Sequence, residues 1–247
     1  DSYDVFLLQG PGQRLWEVSA QDELELIPGL DLRILRHFRP DGHCIVDPGD
    51  MLYLPPRFAH NGTALNACIT YSIGFRAASY EELKSRFLGY IDDNTHIEGR
   101  YADPELTPTA HPAQISTSMV ERVADKLSQI SWSRSDIADF LGRYLSEPKP
   151  YIVLSTPKSL THQEFCRQAY SSGIELHPAL PLLFHGQRAF INGEALDMKP
   201  GARQAIILLA NQRRLDPAQL RGARGASRVF HSWYGNGYLS VGNWGMK

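Results

Sequence analysis

Two short segments near the amino terminus hold the residues best placed to do chemistry. The first, Gly49-Asp50-Met51-Leu52-Tyr53-Leu54-Pro55-Pro56-Arg57-Phe58-Ala59-His60, runs from a tight turn into a strand, through a proline-stiffened loop, and ends on an imidazole. That order aims a histidine into a barrel mouth with little freedom left, as a metal ligand requires. A surface-loop histidine is the plain alternative. The second segment is Asp1-Ser2-Tyr3-Asp4-Val5-Phe6-Leu7-Leu8-Gln9-Gly10-Pro11-Gly12-Gln13-Arg14-Leu15-Trp16. It sets a carboxylate just before a strand, then a glycine-rich turn, then Arg14 and Trp16 on one face of the next strand.

The elements that must position these groups are short strands. Residues 5–8 form an apolar run that stops at the Gly10-Pro11-Gly12 turn signal. Arg14, Trp16 and Val18 then alternate with Leu15 and Glu17, as in a half-buried strand. Further strands are expected at 32–35, 44–46, 51–54 and 67–75, separated by turn residues at 28–29, 40–42 and 47–49. Many short strands at this spacing read as a sandwich or barrel. Beyond Phe75 the period changes. Ser79 and Glu82 make a capping box that opens a helix to about Asp92. A linker with Pro104, Pro108 and Pro112 follows, and then helices near 117–130 and 135–145. These two helices either meet a second copy of the chain or pack on their own domain. The last third predicts a helix at 161–171, strands at 182–185 and 189–191 before the Asn192-Gly193 hairpin pair, a helix at 202–211 and a closing strand at 238–241. The expected class is α+β, with a sandwich or barrel over residues 1–78 preceding a helical region at 79–148 and a winged-helix-like domain at 149–247.

Composition narrows the field. The 247 residues are 43% hydrophobic and 21% charged, with 25 basic against 27 acidic side chains and a net charge of -2. That apolar fraction supports a real core and excludes wholesale disorder. The near-neutral balance argues against a globally basic nucleic-acid binder. No run of about 18 apolar residues exists, so no membrane-spanning helix is expected. Cys44, Cys68 and Cys166 lie far apart and in no CxxC pair, which suits a reducing compartment, and a cytoplasmic location follows by elimination. The chain starts at Asp1 with no charged-then-apolar leader, so either it was processed or residues precede it.

The first segment matches the second sequence motif of the cupins, which are jelly-roll barrels. Arg57 departs from it by standing at the usual glycine position. The second segment, with Asp before a strand and then Gln-Gly-x-Gly-x-Arg-x-Trp, closely resembles the JmjC-type 2-oxoglutarate oxygenases. Tyr3-Asp4-Val5-Phe6, the run from Gly49 to His60, and Tyr71-Ser72-x-Gly74-Phe75-Arg76-Ala77 together resemble the bacterial ribosomal oxygenases among them. In that family a jelly roll, a helical dimerisation region and a winged-helix-like domain follow one another, the order expected here. The resemblance implies Fe(II) as the metal and 2-oxoglutarate as cosubstrate. The substrate it implies is an arginine side chain of a large-subunit ribosomal protein, the L-sixteen protein. It further implies that Asp1 closes a His-x-Asp motif and ligates iron with His60, 59 positions on. The second histidine would then lie two positions before Asp1, and the chain alone would not assemble the full facial triad of two His and one carboxylate. Arg14 would hold the far carboxylate of the cosubstrate, since a guanidinium grips a carboxylate with two bonds. Trp16 either walls that pocket or is a plain core residue. One of Thr70 or Ser72 supplies a hydroxyl to the cosubstrate, or both serve ordinary cross-strand pairing.

The last third departs from the family in a glycine- and arginine-rich stretch at 221–228 and a tail with Asn243-Trp244-Gly245. From Lys199 to Arg228 seven basic residues (Lys199, Arg203, Arg213, Arg214, Arg221, Arg224, Arg228) meet one acid, Asp216. That segment is net +6 against -2 overall, so the rest carries -8. A solvated helix face explains the charge, while a nucleic-acid contact is left open. The acidic remainder suits a basic ribosomal protein. His43, His96, His111, His162, His177, His185 and His231 show no ligand spacing and read as structural. Two rival functions remain. One is another metal-dependent cupin enzyme, which would need no carboxylate anchor at Arg14. The other is a non-catalytic cupin-like module binding the ribosome or RNA, whose binding would be salt-sensitive and indifferent to the metal ligands.

Overall fold

The computed structural model describes residues 2–75, 77–104 and 107–242. Asp1, Arg76 and the tail Asn243-Trp244-Gly245 lie outside them. The chain divides into two compact units, residues 1–84 and 85–247.

The first unit holds two antiparallel three-stranded sheets. β1 (Asp4–Gln9), β4 (Met51–Leu54) and β6 (Thr70–Phe75) form one, in the order β4-β1-β6. β2 (Arg14–Ser19), β3 (Gly42–Val46) and β5 (Ala59–Ala64) form the other, in the order β3-β2-β5. Along β1, Val5, Leu7 and Gln9 are buried while their neighbours are half-buried, the period-two pattern of a strand with one inner face. Val5, Leu7 and Leu54 of the first sheet cluster with Trp16 and Val46 of the second. The inner faces of the two sheets therefore meet, and each of these apolar side chains contributes about 1.5–3 kcal/mol by leaving water.

The strand expected at 32–35 does not form. Residues 20–41 make an excursion with a single bridge, Leu26 to Leu35, and Leu32 is 73% exposed. The reason is topological: β3 and β5 already occupy both edges of β2, and the local run finds no ladder of its own. Conversely β5, whose sequence AHNGTA signals no strand, forms because β2 supplies its partner. The strand expected at 67–75 starts only at Thr70.

The second unit is helical and then mixed. The division falls within α1 (Tyr80–Asn94), and Ser79 accepts the Glu82 amide at its start as expected. α2 (Thr117–Leu127) and α3 (Arg134–Ser146) follow. Then come α4 (His162–Ser172), β7 (Ile174–Leu176), β8 (Leu182–His185), β9 (Arg188–Ile191), β10 (Glu194–Asp197) and α5 (Pro200–Gln212). β11 (Arg214–Leu215), α6 (Pro217–Gly222), a 3-10 turn at Arg224–Ala226, α7 (Ser227–Gly235) and β12 (Leu239–Val241) complete it. The β8-β9-β10 meander turns at Asn192-Gly193, as the sequence predicts. Phe165, Leu176, Ile206, Leu209, Phe230 and Leu239 are buried in one core.

α3 packs against β8, β9 and β10 of that meander. A buried carboxylate pins it: Asp139 accepts from Tyr90 at 3.0 Å and from Arg143 at 2.9 Å, and pairs with Arg188 on β9. Burial, and then the Asp139 carboxylate, push the Tyr90 phenol above its ordinary range. α2 differs, because it buries no residue and leaves Val120 and Leu127 more than half exposed.

The glycine- and arginine-rich stretch is folded. A Cβ on Gly225 would lie 2.5 Å from the Gly201 carbonyl oxygen, so two backbones approach there as only glycine allows. Arg203, Arg213 and Arg221 donate to carbonyls of Gly186, His177, Leu180 and Tyr170. Three of the seven basic groups thus serve the fold itself.

Candidate cosubstrate and metal site

The register of β2 against β5 builds the site. Arg14 stands opposite Ala64, Trp16 opposite Gly62, and Val18 opposite His60. Directly opposed residues share a face, so Arg14, Trp16 and His60 all project from one side of this sheet. It is the side on which Trp16 meets Val5, Leu7 and Leu54 of the other sheet. Along β2, Trp16 lies midway between Arg14 and the residue facing His60, about 7 Å from each at the usual strand rise.

His60 is held by its own loop. Its Nδ1 lies 3.1 Å from the Phe58 carbonyl oxygen. A carbonyl only accepts, so Nδ1 carries the proton, and in the neutral ring that tautomer leaves Nε2 as the atom able to ligate a metal. The Trp16 ring sits 5.9 Å from the imidazole, centre to centre. Arg57, at the expected glycine position, adopts φ 67°, a left-handed conformation that explains why glycine is usual there.

Arg14 is fixed at the other end. Its Nη1 donates to the Gly62 carbonyl at 3.0 Å, its Nη2 approaches Cys68 Sγ at 3.6 Å, and its guanidinium carbon lies 5.6 Å from the centre of the Trp16 ring. Its Nε is buried with no hydrogen-bond partner among the described residues, and the same holds for Trp16 Nε1. Both atoms can only donate, so two buried donors on one face want an acceptor. A carboxylate answers that need, and the donor set fits an oxoacid cosubstrate.

Thr70 is brought to the inner face, opposite Gln9, but its hydroxyl is engaged. Gln9 is 1% exposed, and its Nε2 donates to the Gly12 carbonyl at 2.9 Å and the Pro11 carbonyl at 3.3 Å. Its Oε1 must therefore face Thr70 Oγ1, 2.8 Å away, and Thr70 must donate. Ser72 stands one step along the same face, opposite Leu7.

Asp1, the expected carboxylate ligand, lies outside the described residues. Among the described residues no three His, Cys, Asp or Glu side chains converge on one metal position. Sequence reasoning missed Gln9, which a polar residue at a core position of β1 could have signalled. It also passed over a polar cluster in the second unit. His162 Nε2 lies 3.3 Å from Ser227 Oγ and 3.5 Å from Cys166 Sγ, with His231 stacked edge-on beside it.

Residues 1–83 match the JmjC domain family, and residues 126–239 match the ROXA-like winged helix. A curated relative, the ribosomal protein uL16 3-hydroxylase of Escherichia coli strain K12, is 30% identical over 200 residues. That match spans 80% of this chain and 54% of the relative, so the chain spans about half the relative's length. The solved structure of YcfD, a ribosomal oxygenase from Escherichia coli, superposes with a TM-score of 0.74 at 25% identity, covering 98% of this chain and 65% of that one. YcfD in complex with cobalt and 2-oxoglutarate superposes with a TM-score of 0.71 at 26% identity, covering 97% and 64%.

Proposed function

Since this chain joins a JmjC domain to a ROXA-like winged helix and is homologous to the ribosomal oxygenases, we propose that it serves an Fe(II)- and 2-oxoglutarate-dependent oxygenase hydroxylating an arginine side chain of a large-subunit ribosomal protein. The observation that carries this reading is the shared inner face of His60 and Arg14, with two buried donors between the sheets that ask for a carboxylate.

In this reading His60, through Nε2, and Asp1 ligate the metal, together with a second histidine. Bound iron would couple the conversion of 2-oxoglutarate and dioxygen to succinate and carbon dioxide with insertion of one oxygen atom into a carbon–hydrogen bond. The residues of this chain orient and enclose. Arg14 holds the far carboxylate of the cosubstrate, Gln9 fixes the turn before it, and Val5, Leu7 and Leu54 keep water from the inner face. Thr70 assists the cosubstrate only if it gives up its bond to Gln9.

Residues 1–78 form the C-terminal part of the jelly roll and 149–247 the winged-helix-like domain. Within the 79–148 region, α3 is grouped with the latter. The exposed apolar face of α2 is the surface assigned to a homodimer contact. A reducing, cytoplasmic setting suits three free cysteines and a ribosomal substrate. No described helix is long and apolar enough to cross a membrane.

The test is turnover by the full-length natural protein. Iron-dependent succinate formation, with one added oxygen on an arginine of a large-subunit ribosomal protein, is expected, and His60→Ala abolishes both. Unchanged turnover in that variant would sink the assignment.

A further inference from the structure

The Trp16 indole is 8% exposed, and its N–H finds no acceptor among the described residues. A core tryptophan normally meets a partner for that group when buried. The nearest comparable case is Arg14 Nε, two residues away on the same face and in the same condition. The other two guanidinium nitrogens are already turned to the Gly62 carbonyl and Cys68 Sγ. The cation therefore offers its Nε edge, and Trp16, two residues along the same face with its ring 5.6 Å from the guanidinium carbon, offers a neutral donor. A carboxylate has two oxygens and room for both donors.

The indole cannot easily turn away to satisfy itself. A Cβ on Gly62 would lie 2.5 Å from Trp16 Cζ3 and 2.6 Å from Cη2, so the ring is seated on the bare backbone of β5. Cys44 stands opposite it on β3, and Arg14 lies against its ring. Its rotamer is set by packing, which is the condition for a preorganised donor.

We propose that Trp16 is a cosubstrate-binding residue whose N–H shares with Arg14 Nε the far carboxylate of a dicarboxylic oxoacid. It thereby selects such acids over oxoacids lacking that group. This rests on the oxoacid-dependent reading given above and adds a second donor to it. Trp16 is in this account more than a wall of the pocket.

The experiment uses full-length natural protein, zinc-loaded and labelled with nitrogen-15, and follows the indole N–H resonances by NMR, with Trp16→Phe assigning the relevant one. The probes are 2-oxoglutarate and 2-oxobutyrate, which keeps the oxoacid end and lacks the second carboxylate. The expected result is a downfield shift of the Trp16 resonance with 2-oxoglutarate and none with 2-oxobutyrate. In the iron enzyme, Trp16→Phe should raise KM for 2-oxoglutarate by about tenfold, with kcat changed far less, as for one lost hydrogen bond to a charged group. If calorimetry shows 2-oxoglutarate bound while the Trp16 resonance stays still, the role of Trp16 is overturned and the oxygenase reading stands. If the wild-type protein binds no 2-oxoglutarate at all, both fall together. The wild-type spectra decide the matter even if the variant fails to fold.

Discussion

Arg14 donates to the carbonyl of Gly62, 3.0 Å away and two residues beyond His60 on the neighbouring strand. The candidate anchor and the candidate metal ligand are thus tied through one main chain. Arg14→Lys keeps the charge but replaces a planar fork by a compact ammonium, which cannot hold Gly62 and present a second edge together. KM for 2-oxoglutarate should rise about tenfold or more, since hydrogen bonds to charged groups are worth about 1.5–3 kcal/mol. Metal affinity should be unchanged. Steady-state succinate assays beside metal titrations check this, and an unaltered KM would place the anchor elsewhere.

Gly62→Ala tests the seat of the indole. The added methyl would stand 2.5 Å from a ring carbon, so Trp16 must shift or β5 must move. Overpacking of this kind costs about 1–3 kcal/mol. Urea unfolding followed through the first unit should show that loss. Calorimetry should show weaker 2-oxoglutarate binding, and a variant as stable as wild type would mean the ring is free to move.

Gln9 offers a sharper probe, because its amide orientation is deduced from its partners. Gln9→Glu retains an acceptor for Thr70 but cannot donate to the carbonyls of Gly12 and Pro11. A buried carboxylate facing two carbonyls is unfavourable, and each lost bond in a buried site costs about 1–3 kcal/mol. The variant should be less stable than Gln9→Met at neutral pH, and should recover partly as the carboxyl protonates in acid. Equal stability of the two at neutral pH would show that the Gly12 and Pro11 carbonyls do not depend on the Gln9 amide.

Much of this site was legible because it rests on local signals. The Gly10-Pro11-Gly12 turn and the alternation about Trp16 suffice to put Arg14 and Trp16 on one face, and the Gly-Asp turn with its prolines singles out His60. The capping pair Ser79–Glu82 marks the start of α1, and Ser79 accepts the Glu82 amide there. What was not legible depends on distant partners. The acceptor of the Thr70 proton is Gln9, 61 residues earlier. β5 exists because β2 pairs with it, and β7 and β11 are too short to leave a periodic trace. The glycine- and arginine-rich stretch carries no periodic signal, although Gly225 is where α5 and the turn before α7 touch. For α3 the sequence leaves open a second chain or its own domain, and the meander of its own unit covers it.

The second unit should lose stability in mild acid. Burial first, and then the neighbouring Arg213 cation, hold the His177 imidazole below its ordinary value of 6.5. Its Nδ1 accepts the Ala179 amide, a bond that protonation destroys. The unfolded chain therefore binds the proton more readily than the native one, and stability rises with pH between the depressed value and 6.5. It is complete above 6.5 and declines as pH falls below it. Hydrogen exchange of the β7 and β12 amides at pH 7.5 and at pH 5.5 measures the change. His177→Asn, which keeps a short acceptor without titrating, should flatten it.

Arg57 shows how a family position can be filled against the local rule. Its φ of 67° costs a residue with a Cβ about 1–2 kcal/mol. Glycine would remove that cost but return about 0.4–1 kcal/mol of freedom to the unfolded chain. Arg57→Gly should accordingly be neutral to slightly stabilising, with the cosubstrate KM little changed, because Arg57 is exposed and the His60–Phe58 bond does not involve its side chain. Arg57→Val, β-branched and worse suited to that region, should destabilise the unit and loosen the His60 loop. The pair separates two explanations of the departure. If glycine is tolerated and valine is not, the backbone shape of the turn is what matters. If glycine also lowers metal affinity in a direct titration, the guanidinium itself contributes to the site.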